Sequence, residues 1–247
     1  MANPFQIVFP NQSVADIIRP QSASDLPSAL QNLGLQKGHR VLVVIGGASK
    51  LSEDDFARVR LIFSDVLAPL AQKWNAYVVD GGTDAGVMRL MGQARSEHRG
   101  GFPLIGVCPE KLAVLPDEAK TSDEATLLEP HHTHFLLVPG AAWGDESPWI
   151  ANVASELADG KPSVTVLING GEVTWKDASQ NVLHGRSIIV IAGSGRTADH
   201  LAAVLRGELI DQRAQELVDS GLIQAIDLNA GHEELTKTIE RIFAAAE

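Results

Sequence analysis

One cysteine in 247 residues excludes an intramolecular disulfide, so Cys108, at the end of an apolar run, is expected as a buried small residue in a reducing compartment. Basic side chains are outnumbered, 20 against 31 acidic ones, for a net charge of -11. A surplus of that sign repels nucleic acid and anionic lipid, and with aromatics at only 5% no basic aromatic surface for nucleic acid is expected. No apolar stretch reaches membrane-spanning length. The opening MANPFQIVFP lacks the basic segment and long apolar core of a signal peptide, so a cytoplasmic location away from membranes is expected.

Apolar residues make up 45% of the chain and charged ones 21%, as in soluble globular proteins. Three apolar runs break into glycine and then continue into helix-like stretches: VLVVIGGAS from Val41, YVVDGGTDAGV from Tyr77 and IIVIAGSGRTADH from Ile188. Short continuous Val/Ile runs read as parallel strands buried on both faces. Glycine after such a strand allows a tight turn whose N–H groups can face an anion. In an open α/β sheet these turns emerge at the carboxyl edge, so the three are expected to line one crevice that takes phosphate.

Further strands are expected at Phe5 to Phe9, Pro103 to Cys108, Phe135 to Val138, Val164 to Ile168 and Ile223 to Leu228. Leu26, Leu30 and Leu33 have helical spacing. Ser52 followed by Glu53-Asp54-Asp55 reads as a capped helix start, with Phe56, Val59, Ile62, Phe63, Val66 and Leu70 facing inward. Other helices are expected over Gly86 to Ser96, from Pro148, over Thr197 to Leu205, Gln212 to Ser220 and Glu233 to Ala246. Residues 109–130 read as a functional loop or flexible flap, and the stretch after Gly170-Gly171 reads as a short segment to His184. Alternating strands and helices argue for an α/β, doubly wound, mainly parallel sheet with helices on both faces. No linker interrupts residues 1–247, so one domain is expected, with its core at about 40–205 and both flanks packed on it.

Gly46-Gly47-Ala48-Ser49 places two glycines in a strand-to-helix turn. Asp80-Gly81-Gly82-Thr83-Asp84-Ala85-Gly86 adds a hydroxyl and a glycine at the helix entrance. It is neither a Walker loop nor the dinucleotide G-x-G-x-x-G. Gly193-Ser194-Gly195-Arg196 joins flexible backbone to a guanidinium that can grip an anion. Trp143 offers a face to a base, and the Glu146 carboxylate can accept from ribose hydroxyls, although an acid before Pro148 is also an ordinary helix cap. His132 and His134 share a face of an extended segment, but no further ligand pattern completes a metal set. A hydrogen-bonded strand entrance or ligand wall is expected there, and no metal.

The order GGAS, WNAYVVDGGTDAGVMRLMGQA, HTHFLLV, WGDE, INGG and IIVIAGSGRTADHLA resembles the cytosolic N-terminal homology region of melastatin-type TRP channels. It is similar to the prokaryotic stand-alone branch, the LSDAT group of the SLOG superfamily, which also includes Lonely Guy and Smf/DprA proteins. The resemblance spans Arg40 to Leu205. It implies a Rossmann-like cytoplasmic binding or sensor domain for a nucleotide-derived ligand such as ADP-ribose, cyclic ADP-ribose or a related NAD metabolite. It requires no other cofactor, and its effector partner is unnamed. Carried over by position, the ligand-facing candidates are Gly46, Gly47, Ala48, Gly81, Gly82, Thr83, Gly86, His134, Glu146, Gly193, Ser194, Gly195 and Arg196. The resemblance also implies a homo-oligomer. The alternative is an N-glycosidic hydrolase of the phosphoribohydrolase kind with Glu146 as its carboxylate. Against it, Pro139-Gly140-Ala141-Ala142-Trp143-Gly144-Asp145-Glu146 lacks the second glycine and the threonine of the Lonely Guy Pro-Gly-Gly-x-Gly-Thr-x-x-Glu pattern.

Overall fold

The computed structural model describes residues 3–47, 52–208, 211–230 and 232–245. In chain order the elements are β1 (Phe5–Val8), β2 (Val14–Ile18), α1 (Leu26–Asn32), β3 (Val41–Gly46), α2 (Glu53–Ile62), a π-helical turn (Phe63–Leu67), α3 (Ala68–Lys73), β4 (Tyr77–Asp80) and α4 (Gly86–Glu97). There follow β5 (Leu104–Pro109), β6 (Ala113–Val114), β7 (Thr126–Leu127), β8 (His134–Val138), α5 (Ser147–Ala158), β9 (Ser163–Ile168) and α6 (Glu172–Leu183). The chain continues through β10 (Ser187–Ala192), α7 (Arg196–Leu205), α8 (Gln212–Asp219), β11 (Ile223–Asp227) and α9 (His232–Ala244).

Nine strands form one sheet in the order β1-β2-β8-β5-β4-β3-β9-β10-β11. Every pairing is parallel except β1 with β2. From β3 the chain winds outward through β4, β5 and β8, then returns to the other side of β3 and winds outward through β9, β10 and β11. This is an α/β Rossmann-like fold, and its strand order reverses between β3 and β9, where such sheets open a ligand crevice.

Alternate residues along β3 feed two separate cores, as the pleat requires. Val41, Val43 and Ile45 pack with α1, α5, α6, α7 and α8 on one face. Leu42 and Val44 pack with α2, α3, α4 and α9 on the other. Both flanks add strands to the same sheet: β1 and β2 cover β8, and β11 covers β10. Ser52 caps α2 by accepting from the Asp55 amide at 3.1 Å, and Pro148 lies in the first turn of α5, both as the sequence indicates.

The strand β2, paired in parallel with β8, was not among the expected strands, and three expectations are corrected. Phe56 is exposed rather than inward. Residues 109–130 are no free flap, because β6 and β7 pair and Leu112, Val114, Ala125 and Leu128 are buried. The segment before His184 is the 12-residue helix α6. Its buried stripe is Thr174, Trp175, Asp177, Ala178 and Asn181, and such a polar stripe hides the apolar periodicity that marks a helix.

Candidate functional site

A crevice of about 310 Å³ opens beside the carboxyl ends of β3 and β4, at the lower end of the ~300–1,000 Å³ usual for small-ligand sites. The first residues of three helices face it: Ala85 and Met88 at α4, Glu146 and Ile150 at α5, Val173, Thr174 and Asp177 at α6. Val44, Ile45, Gly46, Gly81, Thr83, Thr126 and Trp143 complete its wall. Helix N-termini present unpaired N–H groups and the positive end of the dipole. The cap residues of α4 and α5, Ala85 and Glu146, make no side-chain cap hydrogen bond.

Of the sequence candidates, Gly46, Gly81, Thr83, Trp143 and Glu146 meet in this crevice, and Gly86 begins the helix that enters it. Gly47 follows directly, its amide spent on the Ile168 carbonyl at 3.0 Å. Ala48 lies outside the described residues. Gly82 does not line the crevice. A Cβ there would sit 2.7 Å from Gly106 Cα, so its glycine is required by packing on β5, in a left-handed conformation of φ +68°. His134 opens β8 and its ring meets the Thr133 hydroxyl at 2.8 Å. Gly193, Ser194 and Gly195 lie one strand away. Ser194 is buried, accepting from the Asn169 amide at 2.7 Å and donating to the Ile191 carbonyl at 2.5 Å. Arg196 begins α7 with its guanidinium against Gly171, 2.9 Å from where a Cβ would stand.

The expectation that the glycine turns hold free amides is corrected at Gly47, Gly82 and Gly193, and the Gly170-Gly171 turn is closed in the same way. The Gly82 amide donates to Asp80 Oδ1 at 2.7 Å, that of Gly170 to Asn169 Oδ1 at 2.8 Å, that of Gly171 to Thr174 Oγ1 at 3.0 Å and that of Gly193 to Asp199 Oδ1 at 2.6 Å. Short polar side chains close these turns from within.

Glu146 and Asp177 are the ionisable side chains among the described crevice residues. Glu146 Oε2 accepts from the Gly144 amide at 2.7 Å, and Asp177 Oδ1 accepts from the Ser147 hydroxyl at 2.6 Å. Burial pushes both carboxyls up. Asp177 reaches about 7, its burial reinforced by the charge of Glu146 and opposed by the Ser147 hydrogen bond. Thr174, Asp177, Met88, Ile150 and Thr126 were not among the sequence candidates. The Gly170-Gly171 pair after β9 was the signal that could have led to α6.

A second polar cluster lies beneath the β4 turn. His132 is sandwiched between Asp80, 2.8 Å from Nε2, and Glu129, 2.8 Å from Nδ1. His131 Nδ1 meets the other Glu129 oxygen at 2.6 Å. Burial alone would lower His132, but the two carboxylates outweigh it and raise the imidazole to about 9. Glu129 is held below its ordinary value because its hydrogen bonds with His132 and His131, and the imidazolium charge, outweigh burial. His132 is therefore an internal counter-ion. Among the described residues no group of three or more His, Cys, Asp or Glu is arranged to hold a metal. Cys108 is buried, its thiol pushed well up by burial and by nearby Asp80 and Glu146, and it donates to the Gly81 carbonyl at 2.9 Å. That is a packed thiol rather than a reactive one. No helix among the described residues is long and apolar enough to cross a membrane.

Comparison with known proteins agrees with this architecture. The chain is 27% identical over 235 residues to the mouse (Mus musculus) transient receptor potential cation channel subfamily M member 2, covering 78% of this chain and 15% of the channel. The Nematostella vectensis subfamily M member-like 2 protein is 26% identical over 253 residues, covering 87% of this chain and 16% of its own length. The chain thus spans about one-seventh of these relatives. The X-ray structure of TM1055, a structural-genomics target, superposes with a TM-score of 0.55 at 22% identity, covering 82% of this chain and 99% of that one. That likeness concerns the fold alone. The family described as SLOG in TRPM, prokaryote, matches residues 39–237, and the chain belongs to it.

Proposed function

We propose that this protein is a binding or sensor domain for a nucleotide-derived ligand, of the class of ADP-ribose, cyclic ADP-ribose or a related NAD metabolite. The observation that carries this reading is the meeting of three helix starts beside the carboxyl ends of β3 and β4, in a crevice walled by apolar side chains and Trp143. Membership of the SLOG-in-TRPM family supports it. In this reading the indole stacks on a base, the helix starts of α4 and α6 receive phosphoryl oxygens, and Arg196 beside Gly171 supplies a cation to the same phosphates. The protein acts in the cytoplasm as a homo-oligomer, away from nucleic acid and membranes, and needs no cofactor beyond its ligand. Calorimetric titration with ADP-ribose, cyclic ADP-ribose, NAD and AMP tests it. Saturable binding of at least one of them is expected, and absence of heat and of thermal stabilisation with all four would retire the proposal.

A second reading, hydrolysis of the ligand's N-glycosidic bond, is favoured by one observation: a buried carboxyl, Glu146, with its proton affinity raised beside another, as acid–base chemistry near neutrality needs. Release of free base from any of the four nucleotides, followed by chromatography, would establish it. Binding without release leaves the first reading.

A further inference from the structure

The floor of the crevice is unlike its rim. Two carboxyl side chains from different helices, Glu146 at the start of α5 and Asp177 in the second turn of α6, face one small cavity. Both residues are more than nine-tenths buried. No lysine or arginine among the described residues lines that cavity. Asp177 Oδ1 accepts from the Ser147 hydroxyl. Oδ2 is not among the described side-chain atoms that lie wholly buried without a partner, so it is open to the cavity and can accept from a donor that enters there.

Resting on the binding reading above, we infer that Asp177, together with Glu146, selects the ligand by its hydroxyl groups: a ribose with free vicinal hydroxyls donates to the two carboxyls, and phosphate is kept off the floor. Hydroxyls supply donors at the right place without a charge. A phosphoryl group brings only acceptors and negative charge to a floor that already holds two acids, so like charges would meet in a poorly solvated space. The phosphates of the same ligand are thereby directed outward to the helix starts, which fixes the ligand's orientation as well as its class. Neither carboxyl needs to leave its present partner, because Ser147 and Gly144 hold the other oxygens and keep both groups aimed.

The test is titration of the full chain with ADP-ribose, with analogues lacking the 2- and 3-hydroxyls of one ribose or the other, and with analogues phosphorylated on those hydroxyls. Removal or phosphorylation at one of the two riboses is expected to weaken binding by roughly 10- to 100-fold, the loss of hydrogen bonds to an acidic partner. Asp177→Asn keeps the volume and the acceptor for Ser147, and E146Q keeps the acceptor for Gly144. In Asp177→Asn the ratio between ADP-ribose and its discriminated analogue should collapse to within about threefold. Thermal unfolding confirms that each variant is folded, and E146Q gives a second path to the same collapse if the first is not. Analogues that all bind the unaltered protein within about threefold of ADP-ribose would overturn the inference while leaving the binding reading intact. Absence of binding by ADP-ribose and every analogue would overturn both.

Discussion

Asp80 and Glu129 are buried with an imidazolium between them, whereas Glu146 and Asp177 are buried side by side with no cation of their own in the crevice wall. The first pair shares one imidazolium inside the protein, while Asp80 Oδ2 is buried there without a partner. It fixes the turn after β4, since Asp80 Oδ1 holds both the Gly82 amide and His132 Nε2. The second pair is held by neutral donors, the Gly144 amide and the Ser147 hydroxyl. Burial of an acid is thus no mark of function by itself, and what separates the two pairs is contact with a cation: His132 touches both members of the first, whereas Lys176 acts on Glu146 and Asp177 only through its charge.

Breaking the first pair should have the largest effect. His132→Leu strands two carboxylates in the interior, and unfolding by denaturant at pH 7 should show a loss of about 3–5 kcal/mol. Because the folded imidazole sits near 9 against an ordinary 6.5, its stabilisation is complete below about pH 6.5 and is lost as pH rises through 9. The variant's stability should therefore change less across that window. If it loses under 1 kcal/mol, the ion-pair account of this cluster is wrong.

Asp177→Asn should act in the opposite direction. A carboxyl raised from 3.8 to about 7 is ionised more readily in the unfolded chain, so it destabilises the protein progressively as pH rises from about 4 to 7. Its removal should raise stability at pH 8 by up to about 4 kcal/mol, at 1.36 kcal/mol per pKa unit. At pH 4 the gain should nearly vanish. Equal effects at both pH values, read from denaturant midpoints, would mean that Asp177 is not the strained acid of the crevice.

Two smaller changes sharpen the contrast. Arg196→Ala removes the guanidinium beside α6 and should weaken an anionic nucleotide by about 1.5–3 kcal/mol in calorimetry. Unchanged affinity would detach Arg196 from the site. Gly92→Ala would place a Cβ 2.0 Å from Glu129 Oε2, pushing Glu129 off His132 and lowering stability by about 1–3 kcal/mol. A melting temperature equal to that of the unaltered protein would show that α4 can yield there. Gly82→Val belongs with these folding variants and not with ligand-site variants, because its side chain would run into Gly106 and Phe135.

Much of the sheet was legible because parallel strands buried on both faces keep their apolar residues contiguous, as in Val41–Ile45 and Ile188–Ile191. α6 was illegible for the converse reason. Its inward face carries Thr174, Asp177 and Asn181, and Asn181 is consumed by Thr165 at 2.9 Å and Arg186 at 2.5 Å. With the helix went the second crevice acid. Glycine proved half-informative: it marks where backbone comes close to something, but for Gly46, whose Cβ would lie 1.9 Å from the Ile168 carbonyl oxygen, that something is the neighbouring strand. Glu146 and Trp143 were found because they precede a helix start signalled by Pro148. His132 was read as part of a hydrogen-bonded strand entrance or a ligand wall, and its bond to Asp80, 52 residues away, was not visible in the sequence.

The hairpin of β1 and β2 lies against β8 on its outer side, ahead of the matched residues 39–237. A fragment trimmed to residues 39–237 would strip away that shield and bare the backbone of His134–Val138 as a fresh sheet margin. It would also sever α9 ahead of Ile239 and Phe243, two fully enclosed side chains. Such a truncation would invite intermolecular strand pairing and precipitation, so recombinant work on this domain should retain both tails.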